Sequence, residues 1–553
     1  MASQSSKTLE LQPNMSECST PDKRENLEMA PAPKPLVWVS GWRLMAIAIG
    51  QTLALFIVQS ESSITSTAIT SITDDLGSFE KSSWVFTAYL LTYSAFPILL
   101  SKLSDILGRK QVLLSCILLF VIFSGACGAS QTLVQLIMFR WVKGLGAGGV
   151  VAICIGYGFE LRPPEKWPVH SSILTIAAAI AVAISPLIGA AFAVKRQWRW
   201  CFLLSVPIGV TASAILLIGM PRKLQLEPAS RFEGPQARSQ ILSRLKRLDF
   251  PGAVMLVAAS VFLMTALQLA AEGYSFRSPR VLILLILSPV SLVAFATWQW
   301  VIARNVYDLD PVLPWNLLTN RVFMAAVCNA WLSGSVLVVT VVQIPQRYII
   351  VNGLSAIDAG VRLLPFVVVM ASTSVILTII MAKWKLHAVY CLMIGALLET
   401  AGVAGLSQTS MHQEINTSQY GFQILAGIGV GFFNILLLLM TPHIVAKEHL
   451  AVGNGAINQF RILGGSLGLS IATVATAPTL RASLLQIIGA QQTALVLDRT
   501  NEISNLPSDL QVIVRERFAS MYNTQMTILV GISAAQLIVS ILQWQKKAII
   551  LKK

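Results

Sequence analysis

Charged side chains inside long apolar runs are the residues of this sequence best suited to chemistry. They are Glu61, Arg140, Lys143, Glu399 and Arg461. Arg140 and Lys143 are three residues apart and share one face of a helix, so they need an anionic partner. Glu61 is the only acid well inside the first six apolar runs. The sequence therefore predicts a Glu61–Arg140 ion pair.

A carboxylate in that setting can bind and release a proton. Desolvation favours its neutral form and a neighbouring cation favours its charged form, so the balance between the two is easily shifted. The alternative is a static ion pair that only fixes helix packing. Glu399 also has two interpretations: it binds a cationic group or a second proton, or it faces a water-filled cavity without a role.

The composition identifies the elements that must hold these charges. The chain has 553 residues, of which 55% are hydrophobic and 12% charged, whereas charged residues make up about 25% of a soluble domain. The apolar residues form runs of about 20, the length of a bilayer-spanning helix. We therefore expect a polytopic all-α protein in a lipid bilayer. Its net charge of +15 then reflects loop topology and not nucleic-acid binding.

Fourteen transmembrane helices are predicted. They cover about 43–70, 83–101, 111–129, 133–158, 169–194, 200–220, 250–271, 281–303, 322–344, 357–381, 388–408, 419–441, 452–476 and 525–545. If the N-terminus is cytoplasmic, Lys and Arg are roughly twice as frequent in the inside segments as in the outside ones, as the positive-inside rule requires. Both termini are therefore expected in the cytoplasm, with the protein in the plasma membrane or alternatively the vacuolar membrane.

The polar segments complete the predicted organisation. They are a disordered cytoplasmic tail over 1–42, a basic cytoplasmic linker over 221–249, a long external loop over 477–524 and a short cytoplasmic tail over 546–553. Asn416, in a predicted external loop, begins an Asn-Thr-Ser sequon and is a candidate glycosylation site in a eukaryotic host. The sequon at Asn14 lies on the predicted cytoplasmic side.

Polar or aromatic side chains in otherwise apolar spans are candidates for lining a central cavity. They are Gln59, Glu61, Tyr89, Arg140, Asn329, Glu399, Gln423, Asn434, Asn458 and Arg461. For most of them, an interhelical hydrogen bond worth about 0.6 kcal/mol accounts for the polar side chain equally well.

Several other site classes are not supported. The seven cysteines contain no Cys-x-x-Cys pair, and we predict neither a disulfide framework nor a metal site. The glycine-rich stretch over 144–149 lacks the Lys-Ser/Thr pair of a phosphate-binding loop. Small residues in a spanning helix allow close backbone approach, so helix packing accounts for it better. We expect no cofactor and no enzymatic activity.

Three motifs resemble the major facilitator superfamily. The loop between the second and third spans reads Ser101-Lys102-Leu103-Ser104-Asp105-Ile106-Leu107-Gly108-Arg109-Lys110, which is similar to that family's signature loop, with Ser101 in place of glycine. Arg140-x-x-Lys143-Gly144-x-Gly146 resembles its Arg-x-x-Gln-Gly-x-Gly motif, often linked to proton transfer. Ser185-Pro186-Leu187-Ile188-Gly189 resembles its antiporter motif, with Ser185 in place of glycine.

Further segments resemble the fourteen-helix drug:proton antiporter family, and the tail, linker and external loop are similar to those of its fungal members. Trp198-Arg199-Trp200-Cys201-Phe202 is similar to its Trp-Arg-Trp-x-Phe segment, and Glu61-Ser62-Ser63-Ile64 to its Asp-x-Thr-Ile pattern. The resemblance implies two six-helix bundles, over 43–220 and 304–545, with two inserted helices over 250–303. It also implies a monomer that works by alternating access.

In that family, proton entry drives export of small hydrophobic or amphipathic compounds such as drugs, toxins or secondary metabolites. The resemblance assigns Glu61 and Arg140 to proton coupling. It assigns Asp105, Gly108, Arg109 and Lys110 to the conformational-switch loop, and Ser185, Pro186 and Gly189 to the antiporter motif. Two alternatives remain: uptake or exchange of a defined metabolite such as an iron chelate, and a transport-dead sensor.

Overall fold

The computed structural model describes residues 41–76, 82–162, 167–195, 197–220, 247–271, 273–304, 309–384, 386–446, 449–498 and 500–545. The predicted tails over 1–42 and 546–553 and the predicted linker over 221–249 lie almost entirely outside these residues. Helices dominate the described part of the chain, where the only β pairing is an isolated bridge between Leu248 and Asp310. The predicted all-α architecture is confirmed.

Eight helices form the N-terminal part: α1 (Trp42–Leu76), α2 (Ser82–Ala95), α3 (Pro97–Leu107), α4 (Arg109–Ala129), α5 (Leu133–Glu160), α6 (Trp167–Val194), α7 (Arg199–Leu203) and α8 (Ser205–Gly219). Two more follow it: α9 (Phe250–Ala271) and α10 (Pro279–Ala303).

The C-terminal part comprises α11 (Trp315–Leu318), α12 (Arg321–Ile350), α13 (Ala356–Val361), α14 (Leu364–Trp384), α15 (Ala388–Ser407), α16 (Ser418–Ile444), α17 (Leu450–Asp498), a 3-10 helix (Thr500–Asn505) and α18 (Ser508–Leu542).

Every predicted span coincides with helical structure. Among the described residues, twelve helices are long and apolar enough to cross a bilayer, and the bent pair α2–α3 makes a thirteenth. The remaining predicted span coincides with α6, whose apolar stretch is Ile176–Phe192. The short helices α7 and α13 run into α8 and α14, with which each forms one span.

The 48° bend between α2 and α3 is at Pro97. Proline has no backbone N–H to continue the helical ladder, and α3 restarts with Pro97 in its first turn. The next amide, Ile98 N–H, donates to Gln459 Oε1 of α17 at 3.1 Å. The bend therefore supplies a buried hydrogen bond between the two halves of the molecule.

Residues 477–524, predicted as a long loop, are largely helical. α17 continues to Asp498 through a break at Gly489, whose φ is +76°. Leu480, Leu484 and Ile488 recur every four residues and pack with Phe518 of α18 in one apolar cluster. The predicted loop is corrected to a helical extension of the last two spans, because this spacing places the apolar side chains on one helix face.

The inserted helices are attached to the C-terminal bundle through Asp249. Its buried carboxylate accepts hydrogen bonds from Gly252 N at 2.8 Å, Trp298 Nε1 at 2.7 Å and Gln299 Nε2 at 2.6 Å. Val312 N also donates to it, at 3.4 Å. One side chain thus joins the start of α9, the end of α10 and the segment before α11.

We expect Asp249→Asn to destabilise this junction. An amide offers one acceptor oxygen where the carboxylate offers two, and hydrogen bonds to a charged group contribute about 1.5–3 kcal/mol each. Thermal unfolding of the purified protein should show a clear fall in the midpoint. Asp310→Asn, at an exposed acid close by, is the control; equal midpoints for the two variants would contradict the prediction.

Candidate functional site

A buried group of three charges lies inside the N-terminal bundle. Glu61 Oε1 lies 3.0 Å from Arg140 Nη1, and Glu61 Oε2 lies 2.7 Å from Lys143 Nζ. All three side chains are at most 1% exposed. The structure places Glu61 and Arg140 together, as the sequence suggested, and it adds Lys143 as a second cation on the same carboxylate. We call these residues the charge triad.

Neutral groups complete the surroundings of the triad. Arg140 Nη1 donates to Thr65 Oγ1 at 2.9 Å, and its Nε donates to Val85 O. The guanidinium lies 5.2 Å from the centroid of the Tyr89 ring, and Lys143 Nζ lies 4.6 Å from that of Phe120. Aromatic faces attract cations, so these rings stabilise the positive charge that the single carboxylate leaves unbalanced.

Glycines let α5 approach its neighbours and so fix the triad. A Cβ on Gly146 would lie 2.7 Å from Cys116 O, and one on Gly144 would collide with Tyr89 O. Thr92 Oγ1 of α2 donates to Trp141 O of α5 at 2.7 Å. The glycine-rich stretch therefore acts in helix packing, which agrees with the sequence analysis.

Glu61 also reaches a narrow cavity between α1, α6 and α8. The lining includes Phe56, Ser60, Glu61, Ser185, Ser205 and Ile208. Ser185, from the antiporter-like segment, is buried and donates to Ala181 O. A Cβ on Gly189 would collide with Ile64 O of α1, so this glycine holds α6 against the helix that carries Glu61.

The remaining antiporter-like residue lies where the bundles meet. A Cβ on Gly360 of α13 would lie 3.3 Å from Leu187 Cδ2 and 3.7 Å from Pro186 Cβ. Val182, also on α6, packs against the apolar cluster that contains Phe366 of α14. α6 therefore contacts both bundles at the end remote from the 101–110 loop.

The segment 101–110, predicted as a loop, is helical except at Gly108, because α3 extends to Leu107 and α4 begins at Arg109. We keep the name 101–110 loop for it; it is held by charges and by a turn that suits glycine. Arg109 is 3% exposed and pairs with Asp105, and its Nη1 donates to Ser101 O at 3.2 Å. Gly108 has φ +102°, a region that L-residues with a side chain rarely occupy. Lys110 Nζ donates to Met220 O at 2.6 Å, so the loop is tied to the end of α8.

The Trp-Arg-Trp segment has a partner that the sequence analysis missed. Asp75 Oδ2 accepts from Trp198 Nε1 at 3.0 Å and lies 3.7 Å from Arg199 Nη2. Arg199 Nη1 also donates to Gly128 O at 2.9 Å and to Ser130 O at 2.8 Å. These bonds join the ends of α1 and α4 to α7. An acid at the end of the first apolar run was the only sequence signal for this role.

A second polar group lies between the bundles. From the N-terminal side, Tyr93 Oη donates to Gln59 Oε1 at 2.9 Å, and the Tyr93 ring stacks on Tyr89 with centroids 5.5 Å apart. From the C-terminal side, Arg461 Nη1 donates to Asn434 Oδ1, and its Nη2 lies 3.4 Å from Asn458 Oδ1. The helices that carry Tyr93 and Arg461, α2 and α17, pack together through Leu91 and Leu463. We call this group the interbundle cluster.

Three of the predicted cavity residues lie elsewhere. Asn329 Nδ2 donates to Ser540 Oγ at 3.0 Å, and Glu399 Oε1 accepts from Gln536 Nε2 at 2.9 Å. Both are therefore packed against α18 and not in the interbundle cluster. Gln423 Nε2 donates to Tyr348 Oη at 3.2 Å, in a separate contact between α16 and α12.

The other site predictions concern metals, cysteines and glycosylation. The described residues contain no group of three or more metal-ligating side chains, and their six cysteines are free thiols. Asn416 is exposed, in the segment between α15 and α16. Its Oδ1 accepts from Ser418 N at 3.2 Å.

Comparisons with known proteins identify the family. Residues 52–469 match the Major Facilitator Superfamily. The chain is 33% identical over 522 residues to the MFS-type transporter FPY5 of Fusarium mangiferae, covering 94% of this chain and 87% of that protein. It is 29% identical over 441 residues to the MFS thioclapurine efflux transporter tcpA of Claviceps purpurea, covering 79% and 78%.

Among solved structures, the fold is similar to that of a bacterial homologue of the human lysosomal transporter Spinster. The TM-score is 0.57 at 14% sequence identity, with 92% of this chain and 98% of the other covered. The helices, the family match and the relatives all indicate a membrane transporter and not an enzyme. The chain belongs to the major facilitator superfamily, within its efflux-pump type.

Proposed function

We propose that this transporter exports small hydrophobic or amphipathic compounds in exchange for protons, and that Glu61 is the proton-binding residue. The charge triad is the observation that supports the proposal. Its single carboxylate is shared by two cations and borders a cavity, so a proton on Glu61 would weaken both ion pairs at once. Protonation and the packing of α1 against α5 are therefore linked.

The contacts between the bundles support alternating access. At the end that carries the 101–110 loop, α3 contacts α17 through the Ile98–Gln459 hydrogen bond. At the opposite end, α6 contacts α13 through Gly360. A rocking motion around a central site would break one contact set while keeping the other.

The two stacked tyrosines connect Arg140, the partner of Glu61, to the interbundle cluster through side-chain contacts. Tyr89 lies over the Arg140 guanidinium and Tyr93 stacks on Tyr89. The helix that carries both rings, α2, packs against α17 through Leu91 and Leu463. A shift of Arg140 that follows protonation of Glu61 would displace Tyr89 and the ring stacked on it. This is a contiguous set of contacts from the N-terminal bundle to the C-terminal one.

The direction of transport separates this proposal from its alternatives. Uptake or exchange of a defined metabolite such as an iron chelate would use the same fold, and a transport-dead sensor would keep the fold without flux. Export is favoured because relatives such as the thioclapurine transporter are named for efflux. We further propose a monomer in the plasma membrane with both termini in the cytoplasm.

The decisive experiment measures accumulation of a fluorescent lipophilic dye in cells. Cells with the wild type should accumulate less dye than empty cells, and a protonophore or Glu61→Gln should remove the difference. Glu414→Gln, at an exposed acid, is the matched control and should behave as the wild type. Reduced accumulation that resists the protonophore would overturn the proton coupling. No reduction with any of a panel of dyes and secondary metabolites would overturn export.

Glycosylation tests the proposed orientation. If the segment between α15 and α16 faces the outside, Asn416 is accessible to the glycosylation machinery of a eukaryotic host. The protein should then gain electrophoretic mobility after glycosidase treatment. Asn416→Gln should remove this shift and Asn14→Gln should preserve it. A shift that depends on Asn14 instead would reverse the proposed orientation.

A further inference from the structure

Arg461 is a cation in the membrane-spanning region for which the described residues supply no acidic partner. Its guanidinium donates hydrogen bonds to the side-chain oxygens of Asn434 and Asn458, which are neutral. Charged side chains within a membrane are costly and are normally paired. Arg140 and Lys143 both pair with Glu61, so Arg461 differs from these two cations.

The side chains around Arg461 could hold an anion. Asn458, one helical turn earlier, is 6% exposed, and its Nδ2 has no hydrogen-bond partner among the described residues. The same holds for Nδ2 of Asn454, which is 3% exposed. Residues 454, 458 and 461 share one face of α17, so this face presents a guanidinium and two amide donors.

Arg461 is partly exposed where the two bundles meet, and Asn454 and Asn458 are buried beside it. Arg461, Gln59 and Asn434 are partly exposed, although the residues around them are largely buried. Ile462 packs against the apolar core of the N-terminal bundle, and Leu463 packs with Leu91 of α2. Arg461 is therefore at the bundle interface and not on a lipid-facing surface.

We propose that Arg461, with Asn458, binds the anionic group of the transported compound, so that the preferred substrates are amphipathic acids. A planar guanidinium can hold a carboxylate through two parallel hydrogen bonds. This inference rests on the proposed export function and names its substrate class.

The test compares two probes that differ in one group. 1-Pyrenebutyrate carries a carboxylate, and 1-pyrenebutanol carries a hydroxyl on the same ring and chain. Binding to the purified full-length protein is followed by pyrene fluorescence anisotropy, without a proton gradient. We expect the wild type to bind the acid at least tenfold more tightly than the alcohol.

The variants assign this preference to the site. Arg461→Gln should bind the two probes equally, and Arg461→Lys should keep part of the preference, because it keeps the charge but not the planar fork. Asn458→Ala, which keeps the cation, should lower acid affinity several-fold and leave alcohol affinity unchanged. Arg481→Gln, at an exposed arginine, is the control and should keep the full preference.

Two results would overturn the inference: equal affinities for the two probes in the wild type, or an unchanged preference in both Arg461→Gln and Asn458→Ala. If Arg461→Gln does not yield folded protein, Asn458→Ala alone decides. Because binding is measured without a gradient, it does not depend on Glu61. Failure of proton-driven dye export with a retained acid preference would count against the proposed coupling and not against this site.

Discussion

Replacement of Glu61 by Gln is expected to abolish protonophore-sensitive export and to destabilise the fold by about 3–5 kcal/mol. The substitution leaves Arg140 and Lys143, each at 0% exposure, with no carboxylate between them. Removing one member of a buried ion pair is costly because the remaining charge stays desolvated. Here two positive charges, on Arg140 and Lys143, would remain buried close to each other without the carboxylate that pairs with both.

Lys143 allows the structural effect to be separated from the loss of the proton site. The double variant Glu61→Gln, Lys143→Gln returns the net charge of the triad to its wild-type value of one positive unit. It should regain most of the lost thermal stability while remaining inactive in export. Lys143→Gln alone leaves one carboxylate facing one guanidinium, so it is expected to be at least as stable as the wild type and to keep export.

Thermal unfolding of the detergent-purified variants and dye accumulation in cells measure the two effects. Recovery of export in the double variant would show that Glu61 acts only through packing, as the static-pair interpretation holds. Equal instability of the single and double variants would show that repulsion between Arg140 and Lys143 is not the cause of the loss.

Two features of the fold could be predicted from sequence: the spanning helices, from the length of the apolar runs, and one ion pair, from the small number of charges within them. A run of about 20 apolar residues rarely forms anything except a spanning helix, so composition is enough to locate the spans. The Glu61–Arg140 contact follows because the first six spans offer only one acid. When so few charges lie within the spans, a buried cation has few acids with which it can pair.

The faces of the spanning helices could not be predicted in the same way. Lipid and protein interior are both apolar, so periodicity does not show which side of a uniformly apolar helix is buried. Asn329 and Glu399 were therefore grouped with the cavity residues, whereas they contact α18. The helical structure over 477–524 was missed because its apolar residues are sparse; their spacing, at Leu480, Leu484 and Ile488, was the available signal.

Gly464→Ala is expected to have the second large effect on stability and export, because Gly464 lies where α12 and α17 cross. A Cβ on Gly464 would lie 2.6 Å from the carbonyl carbon of Trp331, and one on Gly334 would lie 2.8 Å from that of Arg461. Backbone cannot move aside as a flexible side chain can, so α12 and α17 would have to separate. Overpacking of this kind costs about 1–3 kcal/mol.

The functional loss should exceed the loss of stability. Gly464 lies one turn after Arg461 on α17, so separation of the helices would move Arg461 away from Asn434. Export should fall by at least tenfold even where folded protein is recovered. Gly531→Ala is the matched control: Gly531 is a glycine within α18 that has nothing within 4 Å of an added Cβ.

Alanine at residue 531 should leave export intact and even stabilise the helix by up to about 1 kcal/mol, because glycine is the poorer helix former. Folded protein yield, thermal midpoint and dye export of the two variants, compared side by side, test the prediction. Normal export in Gly464→Ala would mean that the crossing tolerates an extra methyl group. The position of Arg461 would then not depend on close contact between the two helices.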